Sequence, residues 1–230
     1  MIVTSKRLFD LVLSIIFLPF AIPIIVLSSL LMFFELREFP FFIQERGLTL
    51  SKYRFGLFKI KTLRNSDIRK TLPPLKGMIL SKSELSPYVG GYAGFLRRTG
   101  FDELPQLINI IKGEMSLIGP RPLMMEDLKR LKNEFPDLYL QREALNSIPG
   151  LSGLWQIFCD RHKDVENLIL LDTLYEKLSS FSFDSKLLLW TIPLIINGNN
   201  SDSILSSKYK SYKKQFVSSG LKFSPENLIK

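Results

Sequence analysis

The stretch Leu11-Val-Leu-Ser-Ile-Ile-Phe-Leu-Pro19-Phe-Ala-Ile-Pro23-Ile-Ile-Val-Leu-Ser-Ser-Leu-Leu-Met-Phe-Phe34 carries no charged side chain. As one helix these residues extend about 36 Å, enough to span the hydrocarbon of a bilayer. Lys6 and Arg7 precede the stretch, and Glu35, Arg37 and Glu38 follow it. The run is long for a signal peptide, and no small-x-small cleavage site closes it. Pro19 and Pro23 interrupt it. Each removes a helical N–H donor and clashes with the preceding turn, which predicts a division into Leu11–Leu18 and Ile24–Phe34. Neither half is long enough to span alone. Two readings stand: a kinked transmembrane helix, the commoner solution, and a re-entrant helix-break-helix that enters and leaves on one face. The basic flanks at both ends favour the second, with both facing anionic cytoplasmic lipid.

The rest of the composition sharpens this picture. The chain has 230 residues, 46% hydrophobic and 23% charged, which suits one ordinary domain with an appendage and excludes global disorder. Lys and Arg number 31 against 22 Asp and Glu, a formal net charge of +9. Mean hydropathy is nevertheless positive, so the apolar load must be concentrated, and it is concentrated at the N-terminus. Cys159 and His162 are the only residues of their kinds. An internal disulfide, a zinc cluster and a multi-His metal site are thereby excluded. A nucleophile or acid/base group is expected among carboxylates, Lys, Ser or Tyr. There is no Walker loop, dinucleotide fingerprint, zinc finger or RNP pattern, so the charge does not establish a nucleic-acid partner and none is expected.

Beyond the apolar run, residues 40–63 read as short strands and turns, and 65–94 as a Pro- and Gly-punctuated, loop-rich insert. Leu104, Leu107, Ile108 and Ile111 fall on one helical face, predicting a helix from near Asp102 to Lys112 with Pro105 in its first turn and Gly113 after its end. Met115–Ile118 reads as a strand closed by Gly119-Pro-Arg-Pro122. Leu123–Phe135 and Asp164–Leu178 read as amphipathic helices, with a tight loop at Pro149-Gly150 and Gly153 between them. Ser185–Ile196 reads as an apolar helix too short to span, suited to the core or to the interface.

Asp102 and Glu103 are adjacent carboxylates at a helix start. The ordinary use of such a pair is dipole compensation and capping. Arg97 and Arg98 upstream and Arg121 downstream alter the odds, because arginines beside a helix N-terminus suit phosphate oxygens. Carboxylates and phosphates at one place call for a divalent cation, and Mg²⁺ suits that donor set. Arg121 lies between Pro120 and Pro122 and is either a simple connection or a guanidinium presented rigidly to an anion. Lys59 and Lys61 alternate along a strand-like segment, as a solvated face or as phosphate or headgroup contacts.

In order and spacing these residues form a larger pattern. The block from Gly94 to Pro122, Gly-Phe-Leu-Arg-Arg-Thr-Gly-Phe-Asp-Glu-Leu-Pro-Gln-Leu-Ile-Asn-Ile-Ile-Lys-Gly-Glu-Met-Ser-Leu-Ile-Gly-Pro-Arg-Pro, closely resembles the signature of the bacterial sugar transferases, the monotopic phosphoglycosyl transferases. Supporting strings run from Lys6-Arg-Leu-Phe-Asp10 through Gln44-Glu-Arg-Gly47, Lys59-Ile-Lys-Thr62 and Pro149-Gly-Leu-Ser-Gly-Leu-Trp-Gln156 to Leu171-Asp172 with Tyr175. The resemblance implies transfer of a sugar 1-phosphate from a UDP-sugar to polyprenyl (undecaprenyl) phosphate, releasing UMP, at the cytoplasmic face of a bacterial inner membrane. It implies that Asp102 is the nucleophile that holds a covalent phosphosugar, that Glu103 joins it in holding Mg²⁺, and that Arg121 holds substrate phosphate. Arg97, Arg98, Lys59 and Lys61 are further phosphate candidates. Gln156, Arg161 and Asp172 are candidate nucleotide-sugar contacts.

The implied fold is mostly α with a small β component. A re-entrant membrane helix broken near Pro23 occupies residues 1–38, in place of the kinked span, with Pro19 as an additional break position. One cytoplasmic catalytic domain with interfacial amphipathic helices occupies 39–198, and a basic polar tail 199–230. A homodimer is a further partner candidate. Ile22 stands where the family has Ser, the early motif is shortened to Arg46-Gly47, and Cys159-Asp160-Arg161 replaces Gly-Arg. These departures motivate an alternative, a non-catalytic membrane-bound scaffold of a glycan assembly complex.

Overall fold

The computed structural model describes residues 5–63, 89, 91–158 and 164–196. Among these the chain is mostly helical with a small β component. Most of the insert over 65–94, the Cys159–His162 segment with Arg161, and the basic tail lie outside the described residues.

Helix α1 spans Ser5–Leu36 without interruption, and Pro19 and Pro23 lie inside it. The division expected at the prolines is therefore not seen. Pro19 leaves the Ile15 carbonyl without its helical donor, and Pro23 does the same to the Pro19 carbonyl. Both prolines are on the exposed side. Leu18, Ala21 and Ile25 dock on the main hydrophobic core and hold the helical path through both positions. The polarity of α1 is inverted relative to a soluble protein. Its buried stripe contains Asp10, Ser14, Ala21, Ser28 and Ser29, while Phe17, Phe20, Ile22, Val26, Leu30 and Phe34 are exposed.

Polar anchors fix the start of α1 to the domain. Lys6 Nζ donates to the Ile118 carbonyl at 2.9 Å and ion-pairs with Asp184. Asp10 accepts from Ser116 Oγ at 2.7 Å and from the Leu117 N–H at 3.1 Å. Arg7 donates to the carbonyls of Ile110 at 2.5 Å and Ile111 at 2.7 Å. Those carbonyls lie in the last turn of a helix, where the i+4 donors run out. Lys6 and Arg7 thus turn into the protein rather than toward lipid headgroups, because buried carbonyls and Asp184 give them partners there. At the other end, Met32 and Leu36 share a cluster with Ile60, Ala93 and Leu96.

Strand β1 (Phe41–Gly47) pairs antiparallel with β2 (Phe55–Ile60), placing Phe41 opposite Ile60 and Arg46 opposite Phe55. It also pairs with the short β4 (Leu123–Met124), giving the order β2-β1-β4. Strand β3 (Ser116–Ile118) runs parallel to β5 (Gly150–Ser152). Helix α2 (Gly91–Thr99) opens within the segment expected to be loop. The helix expected from Asp102 is two pieces, a 3-10 turn at Phe101–Glu103 and α3 (Gln106–Lys112). Pro105 sits between them, and Gly113, at φ +87°, ends α3 as expected. The helix expected over Leu123–Phe135 begins as β4 and continues as α4 (Met125–Glu134). Helix α5 (Pro136–Glu143) follows, started by its own proline. The short α6 (Leu154–Phe158) precedes α7 (Asp164–Leu178), which matches expectation. Helix α8 (Phe181–Ile196) starts earlier than expected. It buries Phe183 and Leu187 in the core and exposes Leu189 and Ile192.

The main core joins Leu107, Ile110, Leu117, Ile118, Leu171 and Leu174 with Ala21 of α1. The anchor helix is therefore a wall of the domain. Replacing Asp10 tests this: Asp10→Ala leaves the Leu117 N–H buried without its acceptor, while the Ser116 hydroxyl keeps the Ile118 carbonyl. We expect a loss of about 1–3 kcal/mol, read as a lower denaturant midpoint in detergent solution with an unchanged m-value.

Candidate active site

Asp102 and Glu103 occupy the 3-10 turn between α2 and α3. Gly100 precedes the turn at φ +77°, a left-handed conformation that glycine adopts without strain. This reversal brings Arg97, near the end of α2, back toward the carboxylates. Strand β2 supplies the opposing cation. The Asn109 side chain of α3 accepts from the Phe58 N–H at 3.1 Å and donates to the Gly56 carbonyl at 2.8 Å. That amide extends the β2 edge onto α3 and sets Lys59 over the acidic pair. Lys59 Nζ lies 3.0 Å from Asp102 Oδ2 and donates to Glu103 Oε1 at 2.9 Å.

The Asp102 side chain is 0% exposed, and neither of its oxygens accepts a hydrogen bond. Its contact with Lys59 is an ion pair off hydrogen-bonding geometry. Burial acts to depress the Lys59 ammonium, but the Asp102 and Glu103 carboxylates outweigh it and raise its pKa. Burial lowers the Arg97 guanidinium despite the attraction of the same two carboxylates, and Arg97 donates to Thr62 Oγ1 at 3.2 Å. Of the remaining phosphate candidates, Lys61 is diverted to Glu38 at 2.9 Å, and the exposed Arg98 lies over Gly94.

Among the described residues no three His, Cys, Asp or Glu side chains converge on one point. The described residues offer no closed cage. Two adjacent carboxylates, one with buried oxygens lacking hydrogen bonds, nevertheless fit Mg²⁺, which takes one or two carboxylates and fills its octahedron with phosphate oxygens and water.

Arg121 is held differently. Every backbone polar group from Gly119 to Pro122 has a partner. Gly119 donates to the Ser152 carbonyl at 2.9 Å and accepts from Trp155 Nε1 at 3.2 Å. The Pro120 carbonyl accepts from the Gly150 N–H at 2.9 Å. The Arg121 N–H donates to Asp172 Oδ1 at 3.2 Å, and the Arg121 carbonyl accepts from Arg142. The Pro122 carbonyl accepts from Arg46 at 3.3 Å. With the backbone fixed, the guanidinium stacks on Trp155, 4.3 Å from the ring centroid. This is the rigid presentation that the flanking prolines suggested.

Asp172 lies inside the domain. It is 1% exposed and ion-paired to the fully buried Arg142 at 2.6 Å. Arg142 also donates to the Leu48 carbonyl at 2.6 Å. The pair is a structural clamp on Arg121, and the Asp172 carboxylate is committed to those protein partners. Gln156 sits half-buried on α6. Arg142 gave no signal in the sequence, being a lone arginine in an unforeseen helix. Arg46 lies in the quoted Gln-Glu-Arg-Gly string, yet its role emerges only from the pairing of β1 with β4. Burial and the Arg121 charge lower Arg46 to about 10, while Asp127 and Glu103 oppose the shift. Burial pushes the Asp127 carboxyl up to about 6 against the pull of Arg46 and Arg121.

The described residues thus join a carboxylate pair under a half-buried lysine to a fixed arginine, on a domain whose N-terminal helix is long and apolar enough to cross a membrane. Residues 2–198 match the family described as bacterial sugar transferase, and the chain belongs to it. It is 31% identical over 199 residues to the exopolysaccharide production protein ExoY of Sinorhizobium fredii, covering 83% of this chain and 85% of that one. It is 34% identical over 115 residues to the undecaprenyl-phosphate galactose phosphotransferase of Salmonella typhimurium, covering 50% of this chain. Against the undecaprenyl-phosphate glucose phosphotransferase of Komagataeibacter xylinus it is 31% identical over 209 residues, covering 86% of this chain. The chain spans 23% of the Salmonella protein and 37% of the Komagataeibacter protein.

The Asp127 shift has a sign that solution measurements can check. A carboxyl raised above its unfolded value of 3.8 binds more protons in the native state. Its ionisation therefore removes stability as pH rises from about 4 to about 6. Asp127→Asn should gain stability relative to the parent chain across that window and hold a constant advantage above it, seen as denaturant midpoints at pH 4.5 and 7.5.

Proposed function

We propose that this protein transfers a sugar 1-phosphate from a UDP-sugar to polyprenyl phosphate, initiating a surface polysaccharide or glycoconjugate. The observation that carries the reading is the Asp102–Glu103 pair beneath Lys59, with Asp102 fully buried, within a chain of the bacterial sugar transferase family. An oxygen of Asp102 attacks the sugar-bearing phosphorus of the donor. The bond from that phosphorus to the bridging oxygen breaks, and UMP leaves with the oxygen. The phosphosugar is held on the aspartate. A phosphate oxygen of the polyprenyl acceptor then attacks the same phosphorus and releases the Asp102 carboxylate. Splitting the transfer in this way replaces one difficult displacement by two easier ones.

Asp102 and Glu103 would hold Mg²⁺, which neutralises phosphate charge when bound. Lys59 frees Asp102 for attack by shifting toward donor phosphate, and the cover over the buried carboxylate opens with it. Arg121 binds phosphate from a fixed position and spends no ordering entropy on doing so.

The same reading places the protein on the cytoplasmic face of a bacterial inner membrane, with α1 entering the bilayer without crossing it. Both ends of α1 grip the same domain, Arg7 at Ile110 and Ile111 and Leu36 beside Ile60 and Leu96. A crossing helix would need about 20 residues in lipid, whereas the polar stripe of α1 is covered by protein from Asp10 to Ser29.

Incubation with Mg²⁺, polyprenyl phosphate and a panel of UDP-sugars should release UMP with one donor. Asp102→Asn should lower the rate by at least about 10³-fold. Release of UDP would overturn the mechanism, and glycan production in cells by Asp102→Asn would favour the scaffold alternative. In a Cys159→Ser background, Ser5→Cys and Ser51→Cys should both be labelled from the cytoplasmic side only. Labelling of Ser5→Cys from outside would show a true span.

A further inference from the structure

Tyr92, Phe95 and Phe101 form a ladder of rings. Tyr92 stacks on Phe95 with centroids 5.6 Å apart, and Phe95 meets Phe101 edge-on at 5.9 Å. The ladder starts at the anchor helix, where the Tyr92 hydroxyl lies 3.0 Å from Ser28 Oγ of α1. It ends at the reactive pair, because Phe101 immediately precedes Asp102. Helix α2 buries Ala93 and Leu96 against α1 and β2, yet Phe95 remains 40% exposed. Structural packing does not account for a large ring left open between two functional elements.

We propose that this ladder seats the isoprenoid tail of the lipid acceptor and leads it from the bilayer to Asp102. The inference rests on the polyprenyl-phosphate reading above. Its chemistry matches the two ends of such a lipid. The far end of the ladder rests on α1 at Ser28, and the same helix exposes Phe33 and Phe34 one to two turns further on. The other end meets Arg97 and Lys59, cations that face the acidic pair and suit an anionic head. A nucleotide sugar has no apolar part to place there. A diacyl phospholipid would need no route to the nucleophile. Stacked rings offer flat, low-entropy surface to a branched chain.

The test uses the full chain in detergent micelles. Phe95→Trp reports on the ladder by its fluorescence, taken as the difference from the parent protein. Undecaprenyl phosphate should produce a saturable change at concentrations where phosphatidylglycerol produces none. An equal response to both lipids would reduce the ladder to a bilayer contact and overturn the proposal, as would no response to either. Phe95→Ala supplies the kinetic arm. It should raise the acceptor KM about tenfold and leave donor-driven UMP release without acceptor within about twofold of the parent. Phe95→Leu should recover most of the acceptor affinity. A parallel fall of both half-reactions would assign the ladder to support of Asp102 and overturn the tail site. If no UDP-sugar yields UMP, the donor reading fails while the fluorescence arm still decides this one.

Discussion

Two opposite charges leave water together at Arg142 and Asp172, and much of the site is built on them. A buried ion pair is seldom a source of stability on its own, because desolvation offsets the attraction. Here the pair's remaining hydrogen-bonding capacity is used on neighbours. Asp172 takes the Arg121 N–H, and Arg142 takes the carbonyls of Arg121 and Leu48. One pair from α5 and α7 thus ties the Gly119–Pro122 turn to the end of β1. Burial pushes both groups toward neutrality and each opposes that push in the other, so the pair is stable only as a pair. What the fold gains is position, a guanidinium whose backbone has no remaining freedom.

A second constraint acts at Asn109. Its side-chain amide continues the hydrogen-bonding edge of β2 and so fixes how that strand meets α3. Lys59 is carried over the carboxylates as a result. The acidic pair and its cation come from distant parts of the chain, yet their relation depends on one amide and on the left-handed glycine at 100.

Much of this was legible in the sequence. Alternation and turn residues marked β1 and β2, and apolar periodicity marked α3 and α7. The Asp-Glu dyad and the Pro-Arg-Pro turn stood out as chemistry. What failed did so for physical reasons. Prolines at 19 and 23 read as breaks because local propensity cannot see that Leu18, Ala21 and Ile25 are docked on a core. Lys6 and Arg7 read as headgroup contacts because the carbonyls they satisfy belong to α3 and β3, over a hundred residues away. The pairing of Asp172 was not legible because a carboxylate in a motif looks the same whether it meets solvent or a buried arginine. Arg142 carried no local signal at all. Tertiary partners, not local preference, decided each of these positions.

The inverted polarity of α1 bears on how the protein comes into being. A helix whose polar stripe faces protein and whose apolar side faces outward has no satisfactory state in water. The domain's own core is unfinished until Leu13, Leu18, Ala21 and Ile25 arrive to close it. Docking of α1 and completion of the core are therefore a single event for this chain. Removing α1 does not trim an appendage; it opens the core that Leu13, Leu18, Ala21 and Ile25 seal.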